Sequence, residues 1–486
     1  MYRYLMLSTL LLALSSPVLA LPDANRIAFS NCTLTLPGTP FTAPARCGSL
    51  EVPENPQLPY GRKISLHIAV APATGRSPAP DPVFIFAGGP GQAASETWVL
   101  LQTTLRQIRK HRDIVMIDQR GTGHSNKLAC PTSATEDLNR EVDLDLIRKE
   151  TVECLAGLSG DPRFYTTSIA MDDYNAVRDA MGYGQINLIG VSYGTRAAQV
   201  YLRRHPRTVR TMTLDSVVPM QLALGQQHAM MLDRSVHEVL ADCARDATCD
   251  SLFPRHTDEL EALFRQLRDK SRQITIMNPF NGEPQDMLLS ADTLAAAIRF
   301  LSYSSETQAL LPLLVHEAVT SGDLSRLASQ AILVMSGLNE MLAHGMELSV
   351  ICSEDYPFID FDADYSDTLM GNLFLQIIKR ECTVWPRGEV PANFHQPVTS
   401  DIPVLLMSGE RDPVTPPQYA AQTAASFPNS LTLVARGQAH SVLQNVCLRK
   451  ITAEFIDKGS VAGLDTQCVA AIRPAPFFTS LLGPGP

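Results

Sequence analysis

Gly190-Val191-Ser192-Tyr193-Gly194 is a G-x-S-x-G pentapeptide set between an apolar run, Gln185 to Gly190, and a helical pattern from Thr195 to Arg204. A serine between glycines at such a strand-to-helix turn reads as a nucleophile elbow. The small flanks permit a sharp turn that lifts the hydroxyl above a sheet and places it at a helix N-terminus, where N–H groups favour developing negative charge. A serine hydroxyl is a poor nucleophile until a base takes its proton, so a histidine and an orienting acid are required, in the chain order Ser, acid, His. Both are present. Asp412 lies in Gly409-Glu410-Arg411-Asp412-Pro413-Val414-Thr415-Pro416, directly after the run Ile402 to Ser408, and His440 follows the run Ser430 to Ala435. Asp215, at the end of Val209 to Asp215, and Glu410 are the competing acids.

Acyl transfer also needs donors for an oxyanion. Ala87-Gly88-Gly89-Pro90-Gly91-Gln92 follows the run Pro82 to Ala87, and its glycines let the backbone approach a substrate carbonyl. The expected donors are the backbone N–H groups of Tyr193 and Gly89, with Gly88 as the alternative. This chemistry calls for no cofactor. No C-x-x-C pair, H-E-x-x-H or clustered Cys/His spacing suggests a metal, and Gly121-Thr122-Gly123 lacks the third glycine of a dinucleotide fingerprint, Asn126 standing there.

Positioning these groups falls to short, continuously apolar runs: Pro82 to Ala87, Asp113 to Asp118, Gln185 to Gly190, Val209 to Asp215, Ile402 to Ser408 and Ser430 to Ala435. Such runs suit strands buried on both faces of a parallel sheet. Helical patterns at Thr97 to Lys110, Ser168 to Met181 and Thr195 to Arg204 alternate with them, which predicts an α/β architecture. Alternating stretches such as Lys63 to Val70 add strands at a sheet edge. Between Asp215 and Ile402 the sequence reads as almost wholly helical, with helices in 225–245, 256–270, 291–302, 305–319, 323–345 and 366–380, and a last helix falls near 443–457. A helical insertion of that size between strands reads as a cap or lid. The expected organisation is 1–20 as signal peptide, 21–220 and 401–486 as the two parts of the core, and 221–400 as the cap.

The signal reading rests on Arg3 before the apolar stretch Leu5 to Leu14 and on Val18-Leu19-Ala20, with a mature chain beginning near Leu21 in the periplasm or outside the cell. In an oxidising compartment the even set Cys32, Cys47, Cys130, Cys154, Cys243, Cys249, Cys352, Cys382, Cys447 and Cys468 reads as disulfides. They fall as five close couples, so nearest-neighbour pairing is expected. The 486 residues are 45% hydrophobic and 19% charged, an ordinary globular composition. A net charge of −10, with the acidic residues scattered, argues against nucleic acid or an anionic membrane surface as partner, and no later apolar stretch is long enough for a stable membrane anchor.

Five strings in this order resemble the serine aminopeptidases of the α/β-hydrolase fold, which include proline iminopeptidase and the secreted tripeptidyl aminopeptidases. They are Gly88 to Gly91, Asp118-Gln119-Arg120-Gly121-Thr122-Gly123-His124-Ser125, Gly190 to Thr195, Arg411 to Pro416 and Gly437 to His440. The signal peptide and cysteine couples are closer to the secreted branch. Ala87, where iminopeptidases usually carry His, weakens a proline-specific reading, and Ala439 stands where Gly often precedes the histidine. The resemblance implies an α/β-hydrolase fold, a mostly parallel sheet flanked by helices with a helical cap, and a peptide substrate held by its free amino end. Such recognition requires carboxylates in the cap, for which Val350 to Tyr356 supplies Glu354 and then Asp355. Trp385 reads either as a pocket wall or as core. A carboxylesterase or lipase activity is the alternative, because the same groups cleave esters.

Overall fold

The structure, a computed structural model, describes residues 27–130, 140–279, 281–330, 332 and 341–484. The expected signal peptide lies outside the described residues, as do 331 and 333–340 of the helix expected over 323–345.

The apolar runs form strands as their lengths and composition require, and all but the edge run Ser430–Ala435 are largely buried from both sides. In chain order the main-sheet strands are β1 (Ser30–Thr35), β2 (Thr42–Pro53), β3 (Lys63–Ala71), β4 (Val83–Phe86), β5 (Ile114–Ile117), β6 (Ile186–Val191) and β7 (Val209–Asp215). The strands β8 (Arg272–Met277) and β9 (Pro284–Leu289) form a separate antiparallel hairpin. The chain rejoins the main sheet in β10 (Val404–Gly409) and β11 (Ser430–Ala435). Among the described residues the sheet runs β1-β2-β3-β5-β4-β6-β7-β10-β11. The first three strands pair antiparallel and β3 pairs antiparallel with β5, while every pairing from β5 to β11 is parallel.

This order places the site. Chain direction along the sheet reverses beside β4: the chain leaves β4 toward β5 on one side and returns through β6 on the other. The loops after β4 and β6 therefore diverge, and a crevice opens at the carboxyl ends of these two strands. On one face of the sheet, Phe84, Phe86, Leu188 and Leu214 pack with Met171, Tyr174 and Val177 of the helix Thr167–Ala180 and with Tyr201 of the helix Tyr193–Arg204. On the other face, Ile85, Met116, Ile189 and Met407 pack with Trp98 of the helix Ala94–Leu101 and with Ile451 and Phe455 of the helix Val446–Lys458.

The stretch between β7 and β10 has its own apolar core, in which Leu232, Val236, Leu260, Leu263, Leu294, Ile298 and Leu314 meet. It is not wholly helical, because β8 and β9 lie between the helices His256–Asp269 and Ala291–Leu301. Their signal is the alternation of Ile274 and Ile276 on one strand and of Met287 and Leu289 on the other, with Ile274 opposite Met287, closed by a turn in which Gly282 takes φ 71°. The helix expected over Thr97 to Lys110 stops at Leu101 and gives way to two 3₁₀ turns. The one expected over 305–319 is broken before Leu311–Ser321, where Pro312 stands in the first turn and cannot donate to a helix running through. The helix expected over 366–380 is confined to Leu373–Cys382.

All ten cysteines are paired: Cys32–Cys47, Cys130–Cys154, Cys243–Cys249, Cys352–Cys382 and Cys447–Cys468. No helix among the described residues is long and apolar enough to cross a membrane.

Candidate active site

Ser192 sits between the last residue of β6 and the first of the helix Tyr193–Arg204, with φ 56° and ψ −126°. A non-glycine residue holds such a conformation only when its surroundings dictate it. Here both flanking glycines are required by contact. A Cβ at 190 would lie 2.4 Å from the carbonyl oxygen of Gly194, and one at 194 would lie 2.0 Å from that of Phe86 at the end of β4. The Ser192 N–H donates to the backbone carbonyl of Asp215 at 2.9 Å, which ties the turn to the end of β7. Gly88, two residues beyond β4, lies against the serine: a Cβ there would stand 3.4 Å from the Cβ of Ser192. Gly89, at φ 101°, faces Leu342 instead. The crevice between the β4 and β6 loops thus contains Ser192, Gly88 and the free N–H end of a helix.

Asp412 and His440 meet on the neighbouring loops after β10 and β11. His440 Nδ1 is 2.9 Å from Asp412 Oδ2. The other carboxylate oxygen accepts from the N–H groups of Val414 (2.9 Å) and Thr415 (2.8 Å). Asp412 is wholly buried, and burial alone would raise its pKa. The charge and hydrogen bond of His440, with the two backbone donors, outweigh this and hold it down at about 2. For His440 burial acts downward and the Asp412 carboxylate upward, and the net direction is up from the ordinary imidazole value.

Neither competing acid reaches the histidine through its carboxylate; both shape the loop that carries it. Asp215 accepts from Val442 N–H (3.0 Å), Leu443 N–H (2.9 Å) and the Ser441 hydroxyl (3.1 Å). Its backbone carbonyl meanwhile holds Ser192, so one residue fixes both the serine turn and the histidine loop. Glu410 accepts from Gly437 N–H at 2.7 Å. No hydrogen bond joins the Ser192 hydroxyl to His440 in this structure. Thr415 is a partner the sequence reading missed. Its hydroxyl donates to Asp412 Oδ2 at 2.8 Å and lies 3.2 Å from His440 Nδ1. The signal was available in Asp412-Pro-Val-Thr415, where an aspartate caps its own turn.

The inserted segment clamps the same loops. Arg234 Nη2 donates to the Asp412 carbonyl (2.9 Å), and the Ser235 hydroxyl and Gln308 Nε2 donate to that of Arg411 (2.6 and 3.0 Å). Arg411 is ion-paired to Asp242. The His440 N–H donates to the Tyr303 carbonyl at 3.2 Å, and the two rings meet edge to face with centroids 5.1 Å apart.

Glu354 and Asp355, expected in the cap as the carboxylates that hold the substrate's amino end, are fully buried. They lie in a single π-helical turn, Ile351–Asp355, which turns both acids into the packing. Glu354 accepts from Thr167 N–H (2.6 Å) and the Thr167 hydroxyl (2.8 Å), and that hydroxyl is 2.6 Å from the Tyr193 hydroxyl. Burial first, and then neighbouring Asp355, push its carboxyl up to about 8. Asp355 Oδ1 pairs with Arg196 at 2.7 Å and accepts from Leu224 N–H at 2.9 Å. Trp385 is core, its indole N–H donating to the Ser349 hydroxyl at 3.2 Å. Among the described residues no group of three His, Cys, Asp or Glu side chains is placed to hold a metal ion.

Comparison with known proteins agrees with this geometry. The family model described as "alpha/beta hydrolase fold" matches residues 81–275, which contain the β4 and β6 loops, and that described as "TAP-like protein" matches 368–468, which contain Asp412 and His440. Tripeptidyl aminopeptidase of Streptomyces coelicolor is 24% identical over 89% of this chain and 84% of its own. Serine protease Hip1 of Mycobacterium tuberculosis is 24% identical over 91% of both chains. Carboxylesterase B of Mycobacterium tuberculosis is 29% identical over a shorter stretch, 46% of this chain and 47% of its own. With a serine elbow at the switch of a mostly parallel sheet and the two matches in chain order, this chain belongs to the serine hydrolases of the α/β-hydrolase fold.

Proposed function

We propose that this serine hydrolase is an exported exopeptidase that removes one, two or three residues from the free amino end of short peptides. Ser192 attacks the scissile carbonyl, and His440 takes the serine proton and passes it to the leaving amine. Asp412 fixes the imidazole tautomer, and water then releases the acyl group. The oxyanion is held by the N–H of Tyr193 and that of Gly89 or Gly88. The observation that carries this reading is the double role of Asp215, which seats the strained Ser192 turn and the His440 loop side by side. The missing serine-to-histidine bond fits the general behaviour of ligand-free sites, where such contacts tighten on binding substrate. Peptide rather than ester as substrate is supported by the two peptidase relatives that run nearly the length of the chain. Export is supported by the five disulfides. The segment between β7 and β10 acts as the cap that limits substrate length.

Peptide anilides with free and with acetylated amino ends, assayed beside a short nitrophenyl ester, test the proposal. The free-amine anilides are expected to be cleaved and the acetylated ones spared. Equal cleavage of both removes the exopeptidase claim, and turnover of the ester alone favours a carboxylesterase.

The pH dependence has a defined sign. Protonated His440 cannot accept the serine proton, and its pKa lies above the ordinary 6.5. The acid limb of kcat/KM is therefore expected to reach half-height above pH 6.5, with Asp412 ionised throughout. A midpoint below 6.5 would show that Asp412 does not dominate the imidazole.

A further inference from the structure

A cationic side chain of the cap stands one residue away from His440, across Tyr303, and among the described residues no acid pairs with it. Arg299 projects from the helix Ala291–Leu301, and its Nη2 lies 3.3 Å from His228 Nδ1 and 3.5 Å from the Tyr303 hydroxyl. The guanidinium sits over two aromatic rings, 5.0 Å from the centroid of Phe374 and 5.9 Å from that of Phe300. Among the described residues no carboxylate pairs with it. Tyr303 connects it to the reaction: its ring packs against the His440 ring, and its carbonyl accepts the backbone N–H of His440. The charge of Arg299 acts on both His440 and His228, so the three groups are electrostatic neighbours. His228, half-buried and next to a guanidinium, is held neutral by desolvation and by that charge, well below its usual range, which leaves Nδ1 an acceptor and the local charge at +1.

An arginine with no counter-ion among the described residues, its planar group laid over aromatic faces and still partly open to solvent, is built to take a carboxylate. Its side of the site identifies which carboxylate. His440 must deliver its proton to the leaving amine, so groups clustered around His440 face the leaving fragment and not the acyl fragment.

We propose that Arg299 binds a carboxylate on the leaving fragment, the α-carboxylate of a short peptide's end or an acidic side chain just beyond the cut. This rests on the exopeptidase reading and deepens it, because a cap arginine that captures the far end of the substrate measures peptide length. It gives the site a preference for substrates only a residue or two longer than the fragment released.

The test uses one free-amine peptide in three forms, with a terminal acid, with a terminal amide, and as the amide with a glutamate just after the cut. Wild type and the Arg299→Gln and Arg299→Lys variants are compared. Wild type is expected to favour the free acid over the amide by about 10-fold to 100-fold in kcat/KM, the range of a hydrogen bond to a charged group. A matching gain for the glutamate amide assigns the site to acidic side chains as well, and no gain restricts it to the chain end. In Arg299→Gln the acid-to-amide ratio is expected to fall toward one whatever the absolute rate, with Arg299→Lys between the two. A wild type indifferent to acid and amide, or a ratio that survives Arg299→Gln, overturns the proposal. Equal cleavage of acetylated peptides would overturn the exopeptidase reading alone, since the ratio at the far end is measured independently.

Discussion

Replacing Ser192 with alanine is expected to lower kcat for peptides and esters alike by roughly ten-thousand-fold to a million-fold, with the folded state retained. The expectation follows from how the turn is built. The φ of 56° at Ser192 is enforced by Gly190, by Gly194 and by the bond from its N–H to the Asp215 carbonyl, none of which needs the hydroxyl. Alanine therefore keeps the turn and loses only the attacking oxygen. Residual turnover above water would come from the oxyanion donors and binding alone. Asp412→Asn is the companion change. It preserves the acceptors of the Val414 and Thr415 N–H groups but offers His440 the wrong partner, and a fall of about ten-thousand-fold is expected. Comparable turnover in Ser192→Ala and wild type would place the chemistry elsewhere.

The second large effect is on stability. Asp355→Ala is expected to cost about 3–5 kcal/mol in denaturant unfolding, because it leaves the wholly buried Arg196 without its counter-ion and strands the Leu224 N–H. Arg196 is otherwise held by the Leu222 carbonyl and by the Phe394 ring, neither of which carries charge. Replacing both partners by leucine is expected to recover much of the loss, since no unpaired charge then remains. Had Asp355 been an ammonium receptor, its removal would raise KM for free-amine peptides and spare the fold. Unchanged unfolding with a raised KM would therefore restore the reading of this segment as a binding wall.

What the sequence reveals here is what depends on neighbours along the chain. Strands buried on both sides announce themselves as continuous apolar runs, so β4, β6, β7 and β10 were legible almost to the residue, and the half-exposed edge strand β11 was legible from its β-prone run Ser430 to Ala435. The serine turn was legible because its contacts are local: Gly190 and Gly194 are each within two residues of Ser192, and their role is steric. Asp412 and His440 were legible through their position after consecutive strands. What stayed hidden depends on packing between distant segments. Glu354 and Asp355 look like a solvated acidic turn until the π-helical turn rotates them toward Thr167 and Arg196, 187 and 159 residues earlier in the chain. The hairpin of β8 and β9 was masked because two isoleucines in alternation are a weak signal inside a helical context. Tyr303 and Arg299 lie on the helical insertion, where no local pattern distinguishes a residue facing His440 from one facing solvent.

The most direct test of the central claim is to trap the acyl-enzyme. A free-amine peptide ester is mixed with the protein, the reaction is quenched in acid within the first turnover, and the digest is mapped by mass spectrometry. The account predicts a single adduct on the peptide containing Ser192, with the mass of the substrate's free-amine N-terminal fragment, much reduced when the same substrate is acetylated. An adduct on any other side chain, or one formed equally from the acetylated substrate, would contradict it.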